Sequence, residues 1–267
     1  MGERGGMEDP AGFRAVDTAP GDYFVRFLDA RKGVPAEQVV KGVITELLDA
    51  RAGMAVLDVG SGTGDDLLGI AGVVGIGGRA VGVDVSTAMV AEARRRTAEG
   101  VPAEFVVGDA TRLDFADACF DRVRAERVLM ALADPEAAVR EMARVVRPGG
   151  VVVLSEVDAA TVFVNSSDRE LVQAIERGFA DDLPTPDAGR RLQRMLLATG
   201  LTDVRLETTV LQNTVAFLRF LFGNRVSALA DEERATAFWE ELEQGEREGW
   251  LCSGGVCFTA AGYRTTV

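Results

Sequence analysis

The stretch VLDVGSGTGDD, residues 56–66, decides the fold class of this chain. It begins as an apolar strand, turns at Gly60, Gly62 and Gly64, and continues into a segment that opens with Asp65 and Asp66. A strand that runs through a glycine-rich turn into a helix is the nucleotide-binding unit of doubly wound α/β proteins. The turn therefore predicts a ligand site, and the identity of the ligand has to come from the residues around it.

The rhythm of strand and helix continues beyond this stretch. Continuous apolar runs predict strands that are covered on both faces, and amphipathic segments between them predict helices. The strands are expected at 54–59, 80–84, 104–107, 120–125 and 150–157, and the helices at 65–74, 87–98 and 135–146. Alternating strands and helices favour a parallel sheet with helices on both faces.

Further helices flank this core. Two are expected before it, at 22–31 and 35–50, and four after it, at about 168–181, 188–199, 213–225 and 231–247, with strands at 201–210 and 250–263. We expect a disordered tail at 1–20, N-terminal helices at 21–53 and a single domain over 54–267. Its helical insertions, at about 160–200 and 212–248, are expected to form a lid.

Composition narrows the classes of function. The net charge is −13 and the isoelectric point is near 4.6, which disfavours nucleic acid and anionic membranes as partners. The apolar runs are far shorter than the roughly 18–20 residues that span a bilayer. We therefore expect a cytoplasmic protein without nucleic-acid or membrane partners. A small-molecule substrate and a homodimer are separate expectations that these bulk properties do not decide.

The chain contains no histidine. This excludes histidine-based triads and removes the commonest general base. The three cysteines, Cys119, Cys252 and Cys257, fit neither a disulfide framework nor a zinc site. No metal is expected.

Asp65 and Asp66 discriminate among candidate ligands. A P-loop needs lysine and Ser/Thr where these acids stand, which excludes that type of nucleoside triphosphate site. The dinucleotide fingerprint has its third glycine at the position of Asp65, and two carboxylates would repel a diphosphate at the helix start. S-adenosylmethionine brings an ammonium, a carboxylate and a sulfonium instead, so acids such as Asp58 and Asp65 are tolerable beside it.

Two further acids follow at strand ends. Asp84 ends the second predicted strand, where a carboxylate can accept both hydroxyls of a ribose, and Asp109 follows the third strand, where it can accept an adenine amine. Because the carboxyl ends of parallel strands meet at one edge, both acids are expected beside the glycine turn. There Gly60 and Gly62 let the backbone approach the methionine part of the ligand.

Four segments resemble, in order, the motifs of class I S-adenosylmethionine-dependent methyltransferases. They are VLDVGSGTGDD, AVGVDVSTAMVAEARRR, FVVGDATRLDFADACFDRVRAERVLMAL and EMARVVRPGG. The likeness is greatest to ubiquinone/menaquinone-type enzymes and to bacterial natural-product methyltransferases, and it is strong over 54–157. It implies a Rossmann-like, mostly parallel seven-stranded sheet with an antiparallel last strand, and S-adenosylmethionine as cofactor.

The resemblance also implies roles for individual residues. It places Gly60, Ser61, Gly62 and Thr63 around the methionine moiety and Asp84 on the ribose. Val85 and Met89 are expected along the adenine ring, and Asp109 on the adenine amine with Ala110 beside it. Glu126 and Arg127 are expected to face the cofactor and the substrate. The chain departs from the family where many members carry histidine, since it has Ala131 and Thr111 at those positions.

Methyl transfer from a sulfonium depends mainly on alignment and desolvation, and it needs a base only for a protonated nucleophile. The acceptor is therefore expected to be a readily ionised group or a neutral amine, unless Glu126, Glu156 or Asp158 takes its proton. Glu156 and Asp158 also suit a structural role as caps of the following segment.

Four residues are candidates for substrate contacts. Arg127 and Arg190 suit an anionic substrate group, and Phe220 and Trp239 suit an apolar one, although Arg190 also suits a solvated helix start and the aromatic residues suit core packing. The sequence thus predicts a methyltransferase for a small natural product. The alternative is a protein of this fold that binds the cofactor and catalyses a non-methylating reaction such as a cyclisation.

Overall fold

The computed structural model describes residues 23–32 and 34–266. The disordered tail predicted at 1–20 lies outside the described residues. Within them, no helix combines the length and the apolar character that a bilayer-spanning segment needs.

The strands and helices alternate through the core as the sequence predicts. The strands are β1 (Ala55–Val59), β2 (Arg79–Asp84), β3 (Ala103–Val107), β4 (Phe120–Glu126), β5 (Val146–Val164), β6 (Thr202–Gln212) and β7 (Ser253–Tyr263). The helices are α1 (Tyr23–Lys32), α2 (Pro35–Leu48), α3 (Asp65–Val74), α4 (Thr87–Arg96), α5 (Pro135–Val145), α6 (Arg169–Asp181), α7 (Ala188–Ala198), α8 (Val215–Leu229) and α9 (Glu232–Glu248).

The strands of the described residues form one seven-stranded sheet, in which they lie in the order β3-β2-β1-β4-β5-β7-β6. β1 pairs in parallel with both β2 and β4, whereas β7 pairs antiparallel with β5 and β6. This confirms the predicted Rossmann-like sheet with an antiparallel last strand. The order of strands reverses between β1 and β4, which opens a crevice at their carboxyl ends.

Both faces of the sheet are covered, which explains the continuous apolar runs. Val151 and Val153 pack with the layer formed by α2, α3 and α4, while Val152 and Leu154 face α5 and α7. Successive side chains of a strand point to opposite faces, so each residue of this run enters one of the two cores.

The second half of the chain differs from the prediction in two places. β5 continues to Val164 because, after an irregularity beyond Asp158, Phe163 and Val164 pair again with β7. α7 packs against β5, β6 and β7, so it belongs to a layer of the sheet. The helices α6, α8 and α9 form an apolar cluster of their own, which we call the helical cap.

α1 joins the helical cap to the glycine turn. Phe27 stacks on Phe220 of α8 with ring centroids 5.4 Å apart, and Lys32 forms an ion pair of 2.8 Å with Asp65 at the start of α3. The helix therefore lies across the carboxyl edge of the sheet.

Gly254 of β7 lies where β6 and β7 approach each other closely. A Cβ on Gly254 would overlap the carbonyl oxygen of Leu211, whereas a Cβ on Gly72, in α3, would meet open space. We expect Gly254→Ala to lower the free energy of unfolding by roughly 1–3 kcal/mol, because β6 must move away from β7. Gly72→Ala should raise it by up to about 1 kcal/mol through helix propensity. Urea unfolding of both variants measures this, and equal shifts for the two would contradict the observed packing.

Candidate active site at the edge of the sheet

The glycine turn is folded back against the end of β2. The backbone N–H groups of Gly60 and Ser61 both donate to the Val83 carbonyl oxygen, at 2.7 and 3.0 Å. Gly60 and Gly62 have φ values of 71° and 52°, a conformation that favours glycine. A Cβ on Gly60 would also overlap the side chain of Val128. The turn therefore requires glycine here for both its conformation and its contacts.

Asp84 connects this turn to the start of α4. Its Oδ2 accepts a hydrogen bond of 2.8 Å from the Gly62 N–H, and its Oδ1 accepts one of 2.9 Å from the Ser86 N–H. Ser86 in turn caps α4 by accepting from the Met89 N–H at 3.1 Å. The carboxylate of Asp84 is thereby fixed at the carboxyl end of β2.

A cavity of about 420 Å³ lies beside these residues, and we call it the edge cavity. Nine residues proposed from the sequence line it: Gly60, Gly62, Asp84, Val85, Met89, Asp109, Ala110, Glu126 and Arg127. Asp109 is oriented by Thr111, whose N–H and Oγ1 both donate to its Oδ1 at 2.8 Å. The edge of the sheet thus brings the separate strand-end motifs into one cavity.

Asp58, Ser61 and Thr63 lie on the other side of the turn. They line a charged groove of about 880 Å³ between α2 and α3, which we call the outer groove. Asp58 is buried 3.3 Å from the Arg124 guanidinium, and its burial raises its pKa to about 6 against the opposing effect of Arg124. Thr63 donates to Asp65 at 2.7 Å.

A second cavity of about 490 Å³ lies between α1, the helical cap and the end of β5. We call it the aromatic cavity because five phenylalanines line it: Phe24, Phe27, Phe179, Phe217 and Phe222. Arg31 and Arg127 line both this cavity and the edge cavity. The two cavities therefore adjoin at these guanidinium groups.

A buried ion network surrounds this boundary. Glu37 of α2 accepts from Arg127 at 2.6 Å and from Arg31 at 3.2 Å. Arg31 also contacts Glu126 at 3.3 Å, and Glu126 accepts from both Lys41 and Arg124 at 2.6 Å. The N-terminal helices are thus bound to the end of β4 through charged groups.

Glu126 is poorly suited to act as a base. Burial would raise its pKa, but Lys41, Arg124 and the other nearby cations hold it well below its usual range. The same opposition holds for Glu37, where Arg127 and Arg31 outweigh burial and lower the pKa. Both carboxylates are therefore charged ion-pair partners.

The other two proposed bases have structural partners. Glu156 is fully buried, and its Oε1 accepts from the N–H groups of Val128 and Leu129 at 2.7 and 2.6 Å. These bonds cap the short 3₁₀ helix at Leu129–Ala131. Asp158 is also fully buried and is bound by Arg190. Neither carboxylate lines either cavity.

The structure does not bring the remaining proposed substrate residues into the aromatic cavity. Arg190 is engaged with Asp158, and Trp239 packs against Phe238 inside the helical cap, with ring centroids 5.0 Å apart. Phe220 supports the wall indirectly by stacking on Phe27. Helical periodicity indicates a buried face, but it does not tell which buried side chains border an empty space.

Sequence reasoning missed Arg31 and Glu37. Both lie in helices that the sequence predicts from their apolar residues alone. A signal for Glu37 was present, since it occupies the same buried stripe of α2 as Val40 and Ile44. A charged residue within an apolar stripe indicates a buried partner.

The structure also changes the argument about Asp65 and Asp66. Asp65 pairs with Lys32 and Arg96 at 2.8 Å, and Asp66 pairs with Lys41 and with Arg124. These cations offset the charge that was expected to repel a diphosphate. The choice of ligand therefore depends on the motifs downstream of the turn and on related proteins.

Known proteins share this core. A family model described as a methyltransferase domain matches residues 57–154. An uncharacterized 37.1 kDa protein of transposon TN4556 from Streptomyces fradiae is 39% identical over 178 residues, 66% of this chain and 51% of that protein. A demethylmenaquinone methyltransferase from Beutenbergia cavernae is 43% identical over 111 residues, 42% of this chain and 44% of that enzyme.

Solved structures share the fold over a longer range. The crystal structure of the YcgJ protein from Bacillus subtilis has a TM-score of 0.59 at 21% identity, and the match covers 85% of this chain and 98% of that one. The chain spans only about half the length of the curated relatives that it matches.

The buried carboxyl of Glu156 should make the free energy of unfolding depend on pH. Burial raises its pKa to about 7, while the backbone N–H groups of Leu129 and Val128 act in the opposite direction. Because this folded-state pKa lies above the ordinary value of 4.5, the stabilising contribution is complete below about pH 4.5 and is lost as the pH rises towards 7. Each pH unit in that window corresponds to about 1.4 kcal/mol.

We therefore expect Glu156→Gln, which stays neutral, to gain stability relative to the parent by about 2 kcal/mol between pH 5.5 and 8.5. Urea unfolding at the two pH values measures this difference. Glu99→Gln, at an exposed position, is the matched control and should differ little from the parent at either pH. A pH-independent difference for Glu156→Gln would mean that this carboxyl is already charged in the folded protein at pH 5.5.

Proposed function

Because the chain belongs to the class I S-adenosylmethionine-dependent methyltransferase family, we propose that it transfers a methyl group from this cofactor to a small acceptor in the aromatic cavity. One observation carries the proposal: the edge cavity, lined by the family's cofactor motifs, adjoins an apolar cavity at Arg31 and Arg127. A cofactor and an acceptor bound in the two cavities would meet at that boundary.

The residues of the edge cavity fit the cofactor. Gly60 and Gly62 lack the side chains that would fill the space beside the turn, and Asp84 presents carboxylate oxygens already oriented by two backbone N–H groups. We assign the ribose hydroxyls to Asp84, the adenine ring to Val85 and Met89, and the adenine amine to Asp109 beside Ala110. The methionine part is assigned to the turn that contains Ser61 and Thr63, with Asp58 behind it.

When bound, S-adenosylmethionine supplies an electrophilic methyl group. The chain contributes alignment and exclusion of water, since α1 lies over the boundary and phenylalanines form the walls of the acceptor site. Glu37, the carboxylate that lines the aromatic cavity beside Arg127, has a lowered pKa and so is a weak base. An acceptor that arrives ionised, or as a neutral amine, therefore suits this site best.

The acceptor that we propose is a small natural product with a largely apolar body. The demethylmenaquinone methyltransferase among the relatives makes a quinone-like acceptor one candidate. A cytoplasmic location, a homodimer and the lack of nucleic-acid and membrane partners remain predictions from the sequence.

Cofactor binding is tested by titration calorimetry. We expect the parent protein to bind S-adenosylmethionine and Asp84→Ala to bind it at least about tenfold more weakly, because hydrogen bonds to a charged group are lost. Asp109→Asn should weaken binding less, since it keeps the shape of the side chain. Asp114→Ala, at an exposed position outside the cavities, is the control and should bind as the parent does. Undetectable binding by the parent would overturn the proposed function.

Product analysis separates methylation from the alternative reaction. The parent is incubated with the cofactor and a panel of apolar phenols, enols, carboxylic acids and demethylmenaquinone. Methylation predicts a product heavier by one methyl group and an equal amount of S-adenosylhomocysteine. Conversion of an acceptor with neither would favour the non-methylating alternative, such as a cyclase.

A further inference from the structure

Arg127 has a hydrogen-bond donor that is not used within the described residues. Its side chain is 12% exposed and lies where the two cavities adjoin. Both oxygens of Glu37 are bound by the same nitrogen, Nη2, at 2.6 and 2.7 Å. Nε has no hydrogen-bond partner but is buried, whereas Nη1 makes no hydrogen bond to the described residues and is not among their buried unpaired atoms. A guanidinium that pairs with a carboxylate through one nitrogen keeps the N–H groups of its other nitrogens, and an accessible Nη1 can donate to a further acceptor atom.

The backbone of Arg127 has an uncommon conformation. Arg127 has a φ of 56°, which non-glycine residues seldom adopt, and its N–H donates to the Ser155 carbonyl oxygen at 2.8 Å. Such conformations persist where the surrounding structure enforces them, and they concentrate at functional sites. Here the conformation positions the side chain at the boundary, since β4 ends one residue earlier.

The charges of the aromatic cavity differ in sign from those of the whole chain. Its charged lining consists of Arg31, Arg127 and Arg225 against Glu37 and Asp182, a balance of three cations to two anions. The chain as a whole has a net charge of −13. A positive, largely apolar cavity in an acidic protein favours a ligand with an apolar body and one negative charge.

We infer that the aromatic cavity selects acceptors that carry one anionic oxygen on an apolar, aromatic-sized body, and that the guanidinium of Arg127 binds this oxygen. The inference rests on the proposed function, because it names the acceptor class of the same site. A guanidinium forms strong, directional hydrogen bonds to anionic oxygen, and burial strengthens them. The phenylalanine walls would hold the body of the acceptor.

Two fluorescent probes separate charge recognition from apolar binding. 8-Anilinonaphthalene-1-sulfonate carries an anionic group on two aromatic systems, and N-phenyl-1-naphthylamine has the same body without the charge. Each is titrated into the parent protein and its variants without cofactor. Failure of the proposed function, which is measured by binding of S-adenosylmethionine, is therefore distinguishable from failure of this inference.

The two members of the Arg127–Glu37 pair should act in opposite directions. We expect Arg127→Met to weaken binding of the anionic probe on the order of tenfold and that of the neutral probe less than about threefold. Glu37→Gln should strengthen binding of the anionic probe several-fold, because the competing carboxylate is removed. A merely structural ion pair would not give this change of sign. Arg140→Met, at an exposed arginine outside the cavity, is the control.

Further measurements locate the probe. Leu221 lines the aromatic cavity, so Leu221→Trp should weaken both probes by filling it. Circular dichroism and thermal unfolding establish that each variant is folded. The proposal is overturned if Arg127→Met weakens both probes alike, if Glu37→Gln weakens the anionic probe, or if Leu221→Trp leaves binding unchanged. It is also overturned if S-adenosylhomocysteine abolishes the preference for the anion, which would assign the guanidinium of Arg127 to the cofactor.

Discussion

The structure of the site depends on the buried carboxylate of Glu126. This side chain is 6% exposed and contacts cations from three elements: Arg31 of α1, Lys41 of α2 and Arg124 of its own strand. A buried ion pair contributes little net stability when complete, but removal of one partner leaves an uncompensated charge that costs about 3–5 kcal/mol. The network therefore specifies where the N-terminal helices dock more than it adds to stability.

That docking creates the two cavities. Glu37 of α2 pairs both with Arg31 of α1 and with Arg127, just beyond the end of β4, and the same helices line the outer groove with the glycine turn. At its N-terminal half, α1 contributes Phe24 and Phe27 to the apolar wall, and Phe27 stacks on the helical cap. One short helix thus borders the edge cavity on one side and the aromatic cavity on the other.

The chain has no histidine, and the carboxylates near the site do not replace it as a base. The carboxylates considered as bases are either paired with guanidinium groups, as in Glu37 and Glu126, or buried with structural partners, as in Glu156 and Asp158. A site of this kind binds and orients charge and has few groups available for proton transfer. Such a site matches chemistry in which the cofactor is already activated and the acceptor supplies its own nucleophile.

The sequence by itself determined the sheet and the edge at which we propose that the cofactor binds. Turn glycines, strand-end acids such as Asp84 and Asp109, and periodic apolar runs are local signals, and parallel strands necessarily bring their carboxyl ends together. The sequence did not determine the ion pairs of Asp65, the role of Glu37, or the placement of Trp239 in the core of the cap. These depend on which side chains from distant helices meet, and only tertiary packing decides that, because helical periodicity gives a buried face without giving its partner.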